Sequence, residues 1–144
     1  MSENNACPYC KSNQDFPYGR YICDLQMSKV YLFHEQSKYG RCILACKHHV
    51  SDITQLSEEE RSQYFSDLNT LCIAMNQCFH PGKINFGSYY DTGRHLHIHV
   101  VPKYADGDEW GTTFTMNPEK IFLSDMDADS MANNLLNAFN RLTV

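Results

Sequence analysis

The fold is decided by the stretch Arg94-His95-Leu96-His97-Ile98-His99-Val100-Val101-Pro102, in which histidines alternate with apolar residues. Side chains of a β-strand point alternately to opposite faces, so an extended chain here places the three histidines on one face. The apolar residues between them then share the opposite face, which is expected to pack on a core. The imidazole face is left for chemistry.

Three explanations of the histidine face can be compared. The rings could be polar groups on the solvent side of a half-buried strand, but strict alternation of an uncommon residue favours a function. One metal ion bound by all three is geometrically poor, because residues four apart on a strand are separated by roughly 13 Å whereas metal–nitrogen bonds are about 2 Å. A nucleophilic role fits better, since neighbouring imidazoles resist simultaneous protonation and so keep His97 neutral near neutral pH.

Apolar runs elsewhere predict further strands. Residues 28–33 and 41–47 are expected to form an antiparallel pair. Residues 83–89 and 94–103 are strand-like runs joined by a turn at residues 90–93, which contains the expected Asp and Gly. The pattern therefore predicts a hairpin that includes the histidine strand.

Two helices are predicted. Ser57 followed by Glu60 is a capping-box signature, and apolar residues recur at helical spacing over residues 64–79, before the Pro-Gly stop at residues 81–82. A second amphipathic pattern predicts a helix over about residues 127–142. Antiparallel strands with two helices make an α+β domain.

Composition restricts the possible functions. The length of 144 residues suits one domain over residues 1–144, with an N-terminal segment at 1–20 and a C-terminal extension at 105–144. The net charge of −5 argues against general nucleic-acid binding, although a local basic cluster can still hold a small anion. The sequence has no apolar run of transmembrane length, and residues 1–6 lack a signal-peptide core. We therefore expect a cytoplasmic protein without a membrane partner.

The seven cysteines fall into two groups. Five lie singly in apolar segments and are expected to be small buried hydrophobic residues in a reducing compartment. These are Cys23, Cys42, Cys46, Cys72 and Cys78. Cys7 and Cys10 form a Cys-x-x-Cys pair with the spacing of metal ligands, although two thiols in a polar segment can also be free of metal.

The run from His95 to Val101 resembles the signature of the histidine-triad (HIT) superfamily, His-x-His-x-His followed by two apolar residues. Flanking motifs resemble its zinc-containing branch, and the chain as a whole resembles diadenosine polyphosphate hydrolases and histidine-triad nucleotide-binding proteins. These motifs are Cys7-Pro8-Tyr9-Cys10, Tyr39-Gly40-Arg41-Cys42-Ile43-Leu44, Lys47-His48-His49-Val50, Leu56-Ser57-Glu58-Glu59 and Ile84-Asn85. The resemblance spans residues 7–104 and implies an antiparallel sheet of about five strands packed by one long and one C-terminal helix.

The resemblance also implies a mechanism. His97 would attack the α-phosphorus of a nucleotide conjugate, giving a covalent nucleotidyl-histidine that water hydrolyses. His99 would hydrogen-bond the phosphate and help to protonate the leaving group. The carbonyl of His95 would accept a hydrogen bond from His97, fix its tautomer and leave the other ring nitrogen free to attack.

Three residues are candidate substrate contacts by the same resemblance: Arg41, Asn85 and Thr92. Arg41 stands where many relatives have histidine; arginine can bind phosphate bidentately but cannot act as a base. Thr92 and Asn85 could equally serve ordinary turn and hairpin chemistry. Strand alternation would put Arg94 on the face opposite His95, so it is not assigned to the phosphate.

A structural zinc site is implied by the resemblance to the zinc-containing branch. Its ligands would be Cys7, Cys10, His49 and His95, a closed set of two thiolates and two imidazoles that ties the N-terminal segment to the histidine strand. The neighbouring His48 is the competing ligand for the position of His49.

The sequence thus predicts a nucleotide hydrolase acting at the α-phosphate of a dinucleoside polyphosphate or a nucleoside phosphoramidate, with a purine nucleotide such as an AMP conjugate as substrate. One alternative is a zinc-stabilised nucleotide-binding module with little turnover. A nucleotidyltransferase is another, although the third histidine, His99, favours hydrolysis. A homodimer is expected, with the sheet edge beside the helix at residues 68–79 as its interface.

Overall fold

A computed structural model describes residues 6–89 and 91–142. Tyr90 of the predicted turn and the two ends of the predicted domain, residues 1–5 and 143–144, lie outside the described residues. The chain forms a five-stranded sheet in the order β1-β2-β3-β5-β4, with every neighbouring pair antiparallel. The strands are β1 (Gly19–Asp24), β2 (Ser28–Phe33), β3 (Cys42–Cys46), β4 (Lys83–Gly87) and β5 (His97–Lys103). The predicted α+β class is confirmed.

Four of the five strands were predicted, with ends that differ by at most three residues. Strand β1 was not, because only Ile22 of its six residues is buried and the run shows no alternation. Strand β5 begins at His97 rather than at residue 94, because its partner β3 pairs Ala45 with His97 and ends one residue later. His95 therefore lies just before the strand.

Both predicted helices are present. The first, α1 (Glu58–Phe79), is capped by Ser57, whose side chain accepts a hydrogen bond from the Glu60 N–H while the Glu60 side chain accepts from the Ser57 N–H. The second, α2 (Asp125–Leu142), begins two residues earlier than predicted. Among the described residues neither helix is long and apolar enough to cross a bilayer.

Both helices contribute to the main core, on one face of the sheet. Val30, Leu44, Ile98 and the other core-facing strand residues meet Leu71 and the other buried residues of the two helices. A smaller cluster on the opposite face consists of Phe16, Tyr31, Ile43 and Ala45. All seven cysteines are free thiols, and the five single ones belong to or pack against the main core, as predicted.

We expect Asp67→Ala to lower the free energy of unfolding by about 2–4 kcal/mol, because it leaves three donors, two of them buried and the third the amide of Gln63, without their acceptor. Asp67 is 3 % exposed on α1 and accepts hydrogen bonds from the Met27 N–H at 2.7 Å and the Ser28 hydroxyl at 2.5 Å. Urea denaturation measures the effect. Asn69→Ala, on the exposed side of the same helix, should change stability by less than about 0.5 kcal/mol; equal effects of the two variants would contradict this assignment.

Candidate active site and metal centre

The histidine face of β5 lies on the side of the sheet opposite the helices. His97 and His99 pair in register with Ala45 and Ile43 of β3, which belong to the smaller cluster, whereas Ile98 faces the main core. The predicted separation of imidazoles from apolar side chains is therefore present. It follows from two-residue alternation along a strand that is buried on both faces.

A cavity of about 690 Å³ opens on this face. It brings together seven of the nine predicted site residues, among them His97, His99, Arg41 and Thr92, and the N-terminal segment and the chain after β5 also contribute to its wall. Other lining residues include Tyr9, Tyr18, Phe33, Arg94 and Met116. The site is therefore a pocket built over the strand.

Asn85 does not line this cavity. It lies in a separate depression with Lys83, Lys103 and Trp110, further along the sheet. Arg94, in contrast, does line the cavity, which corrects the expectation from alternation: the chain at residue 94 is not yet a strand, so the alternation rule does not apply to it.

The backbone fixes the tautomer of His97. Its Nδ1–H donates a hydrogen bond to the carbonyl of His95 at 2.8 Å, as predicted. A carbonyl can only accept, so the proton sits on Nδ1 and Nε2 carries a lone pair. No group in the described parts of the chain hydrogen-bonds to Nε2. Burial lowers the pKa of His97, which is 6 % exposed, and favours the neutral ring.

His99 contacts a buried guanidinium. Arg41 Nη2 lies 3.0 Å from His99 Nδ1, and Arg41 Nη1 donates to the Met116 carbonyl at 3.0 Å. Arg41 is fully buried, with its guanidinium 4.3 Å from the centre of the Phe33 ring. Burial, together with the charge of Arg41 and the neighbouring His97, lowers the pKa of His99 to about 3. His99 is therefore neutral across the physiological range.

A tight loop between β2 and β3 holds Arg41 in place. Gln36 donates from Nε2 to the carbonyls of Phe33 at 2.6 Å and Arg41 at 3.0 Å, and its Oε1 accepts from the Gly40 N–H at 2.8 Å. Gly40 has φ +91°, and a Cβ there would lie 2.9 Å from the ring of Phe79. Glycine is therefore required for both backbone angle and space.

Two residues of the site, Tyr9 and Met116, were not predicted from the sequence. The ring of Tyr9 stacks on His97 with 4.7 Å between centres, and on His95 with 5.2 Å. Its position between two predicted metal ligands could have indicated that Tyr9 lies close to the site. Met116 contacts Arg41 through both its carbonyl and its sulfur. No sequence pattern indicated this contact, because Met116 lies in a loop 75 residues after Arg41.

Cys7, Cys10, His49 and His95 come together as predicted, with their four ligand atoms within 4.8 Å of one another. The His95 Nδ1 lies 3.5 Å from both sulfurs, and the His49 Nδ1 lies 3.2 Å from Cys10 Sγ and from His95 Nδ1. Tetrahedral zinc with ordinary bond lengths separates a nitrogen and a sulfur ligand by about 3.6 Å and two nitrogens by about 3.3 Å. The donor set therefore fits zinc in both chemistry and spacing.

A second backbone carbonyl prepares His95 as a ligand. His95 Nε2–H donates to the Cys46 carbonyl at 2.7 Å, so Nδ1 is unprotonated and faces the other three donors. Burial and the hydrogen bond and charge of Cys7 raise the pKa of the Cys10 thiol to about 11, so forming the Cys10 thiolate calls for a cation. The competing His48 is absent from the cluster and instead lies 3.1 Å from a Glu60 carboxylate oxygen.

Comparison with known proteins agrees with this geometry. Residues 28–106, more than half of the chain, match the family model described as HIT domain. The protein named Protein hit from Bacillus subtilis (strain 168) is 24% identical over 116 residues, which cover 75% of this chain and 78% of that protein.

Solved structures show the same fold. A Zn-bound histidine triad family protein from Mycobacterium smegmatis aligns with a TM-score of 0.71 at 18% identity, covering 97% of both chains. A diadenosine triphosphate hydrolase from Plasmodium falciparum aligns with a TM-score of 0.63 at 17% identity, covering 84% of this chain and 76% of that one. Because the family model accounts for the strand with its alternating histidines and for the strands beside it, this protein belongs to the HIT domain family.

Proposed function

We propose that this protein is a nucleotide hydrolase that acts at the α-phosphate of a nucleotide conjugate through a covalent nucleotidyl-histidine at His97. One observation carries the proposal: the hydrogen bond from His97 Nδ1 to the His95 carbonyl. It leaves a lone pair on Nε2 of a ring that lines the cavity. Attack on phosphorus then needs no base to remove a proton from the nucleophile.

The protonated Nδ1 of His97 helps to stabilise the nucleotidyl-histidine formed by that attack. A phosphorylated imidazole that retains its Nδ1 proton carries a positive charge, and the His95 carbonyl dipole stabilises this charge. Water then attacks phosphorus, the N–P bond breaks, and the nucleoside monophosphate leaves. Splitting one displacement into two replaces a hard step with two easier ones.

The cavity walls suit an anionic substrate. Arg41 and Arg94 supply positive charge, and Thr92 supplies a hydroxyl at the rim. We propose that His99 hydrogen-bonds the phosphate and that Arg41 and Thr92 contribute to binding. Asn85 is not part of the proposal, because it lies in the neighbouring depression.

We propose that the substrate is a purine nucleotide such as an AMP conjugate. Two findings support it: membership of a nucleotide-binding family and likeness in fold to a diadenosine triphosphate hydrolase. The predicted homodimer and cytoplasmic location stay predictions.

We propose that zinc at Cys7, Cys10, His49 and His95 is structural. Four protein ligands leave no open position for water or substrate. When bound, the ion would hold the N-terminal segment against the start of β5, with Tyr9 stacked on His97.

His97→Ala should reduce the hydrolysis of diadenosine triphosphate by at least about 1,000-fold, because it removes the nucleophile of the proposed covalent intermediate. Product release is measured by chromatography at several enzyme concentrations. His34→Ala, which removes an exposed imidazole from the end of β2, is the control and should retain activity. Equal rates for His97→Ala and the parent protein would contradict the proposed hydrolase.

Protein purified without chelators should contain about one zinc ion per chain by elemental analysis. Cys10→Ser should lower both zinc content and melting temperature, because it removes one of four ligands. Cys78→Ser is the matched control: its sulfur donates to the Asn134 carbonyl, a bond that a hydroxyl can also make. Zinc well below one per chain in the parent protein would contradict the assignment.

A further inference from the structure

The contact between Arg41 and His99 determines which protons His99 can hold. The nitrogens of a guanidinium can only donate hydrogen bonds, so at 3.0 Å His99 Nδ1 is the acceptor. The proton of the neutral ring is therefore on Nε2. Adding a second proton at Nδ1 would replace this hydrogen bond with two donors facing each other, one of them on a cation.

Arg41 is held against His99 by its whole environment. Nη1 is bound to the Met116 carbonyl, and Phe33 covers the guanidinium face. Arg41 Nε is buried and has no hydrogen-bond partner among the described residues, and none of their carboxylates forms an ion pair with this side chain. The charge of Arg41 therefore acts on His99 without a direct counterion.

Among the described residues that line it, the cavity has no carboxylic acid that could take the place of His99 as proton donor. Its titratable and charged lining groups, apart from the Cys7 and His49 ligands, are Arg41, Arg94, the three histidines and the phenols Tyr9, Tyr18 and Tyr89. A phenol is a far weaker acid than a protonated imidazole. Burial raises the pKa of Tyr9, which makes it a weaker acid still. His99 can donate a hydrogen bond from Nε2, but transferring that proton would leave an imidazolate unless Arg41 gave up a proton in turn, which arginine does not do in proteins.

We propose that the site selects nucleotides whose α-phosphate is joined through oxygen to an acidic leaving group, a phosphate or a carboxylate, and discriminates against phosphoramidates. This inference rests on the proposed hydrolase function. It departs from the expectation that His99 protonates the leaving group, and it assigns Arg41 as the positioning residue that sets the tautomer of His99.

The proton balance of the first step explains the selection. The Nε2 lone pair of His97 forms the N–P bond, the P–O bond breaks, and its electron pair stays on the leaving oxygen. A phosphate or carboxylate is stable as that anion, so the hydrogen bond from His99 Nε2–H suffices. When the bond to break is P–N, the leaving nitrogen needs a proton, and the described lining residues include no carboxylic acid to supply it. In the second step water cleaves the N–P bond and its proton passes to solvent.

The test compares leaving groups on one nucleotide. The full chain with its zinc is assayed with diadenosine triphosphate, acetyl adenylate and an N-alkyl phosphoramidate of AMP, each rate corrected by His97→Ala. We expect kcat/KM for at least one anhydride to exceed that for the phosphoramidate by at least about 100-fold, the size of a general-acid contribution. Comparing the phosphate and carboxylate arms then identifies the preferred anhydride.

Two Arg41 variants test the cause. Arg41→Lys keeps a buried cation and donor and should keep the preference. Arg41→Met lets His99 take a second proton, so the ratio of anhydride to phosphoramidate turnover should fall at least about 10-fold. This ratio is unaffected by a partly unfolded sample, because both substrates meet the same protein.

The possible results distinguish a failure of the leaving-group selection from a failure of the proposed hydrolase function. Phosphoramidate turnover that matches or exceeds anhydride turnover and depends on His97 would overturn the selection and leave the hydrolase intact. A high ratio that Arg41→Met leaves unchanged would overturn the role of Arg41. If no substrate is cleaved faster than by His97→Ala, the hydrolase itself is wrong.

Discussion

The site depends on two backbone carbonyls that each bind one triad ring. The Cys46 carbonyl accepts from His95 Nε2, and the His95 carbonyl accepts from His97 Nδ1. Each bond fixes one nitrogen as the donor and leaves the other with a lone pair. The free nitrogen of His95 faces the thiols. The free nitrogen of His97 has no hydrogen-bond partner among the described residues of the cavity. The same ring chemistry thus yields a metal ligand at one position and a nucleophile two residues later.

His95 links the metal centre to the reaction chemistry. Its ring belongs to the Cys/His cluster, while its carbonyl holds His97. The position of that carbonyl is set by Leu96, whose N–H donates to the Val50 carbonyl at 2.7 Å and whose own carbonyl accepts from the Cys46 N–H at 3.0 Å. The bend at His95, just before β5, therefore positions the site residues together with the strand itself.

The sequence predicted what arises from local periodicity. Alternation located the histidine strand, and capping chemistry located α1, because both are decided within a few residues. It could not predict that Arg41 would be fully buried against His99, since burial follows from Gly40, Gln36 and the distant Met116 acting together. Strand β1 was missed because tertiary pairing with β2, rather than its own pattern, makes it a strand.

The tautomer of His97 at neutral pH is the most direct test of its proposed role as the nucleophile. Long-range ¹H–¹⁵N correlation spectra of protein labelled with ¹⁵N-histidine report which ring nitrogen carries the proton, and comparison with His97→Ala assigns the signals. We expect a neutral ring with its proton on Nδ1 and an unprotonated Nε2. A proton on Nε2, alone or together with Nδ1, would mean that no lone pair faces the cavity, and would contradict the central claim.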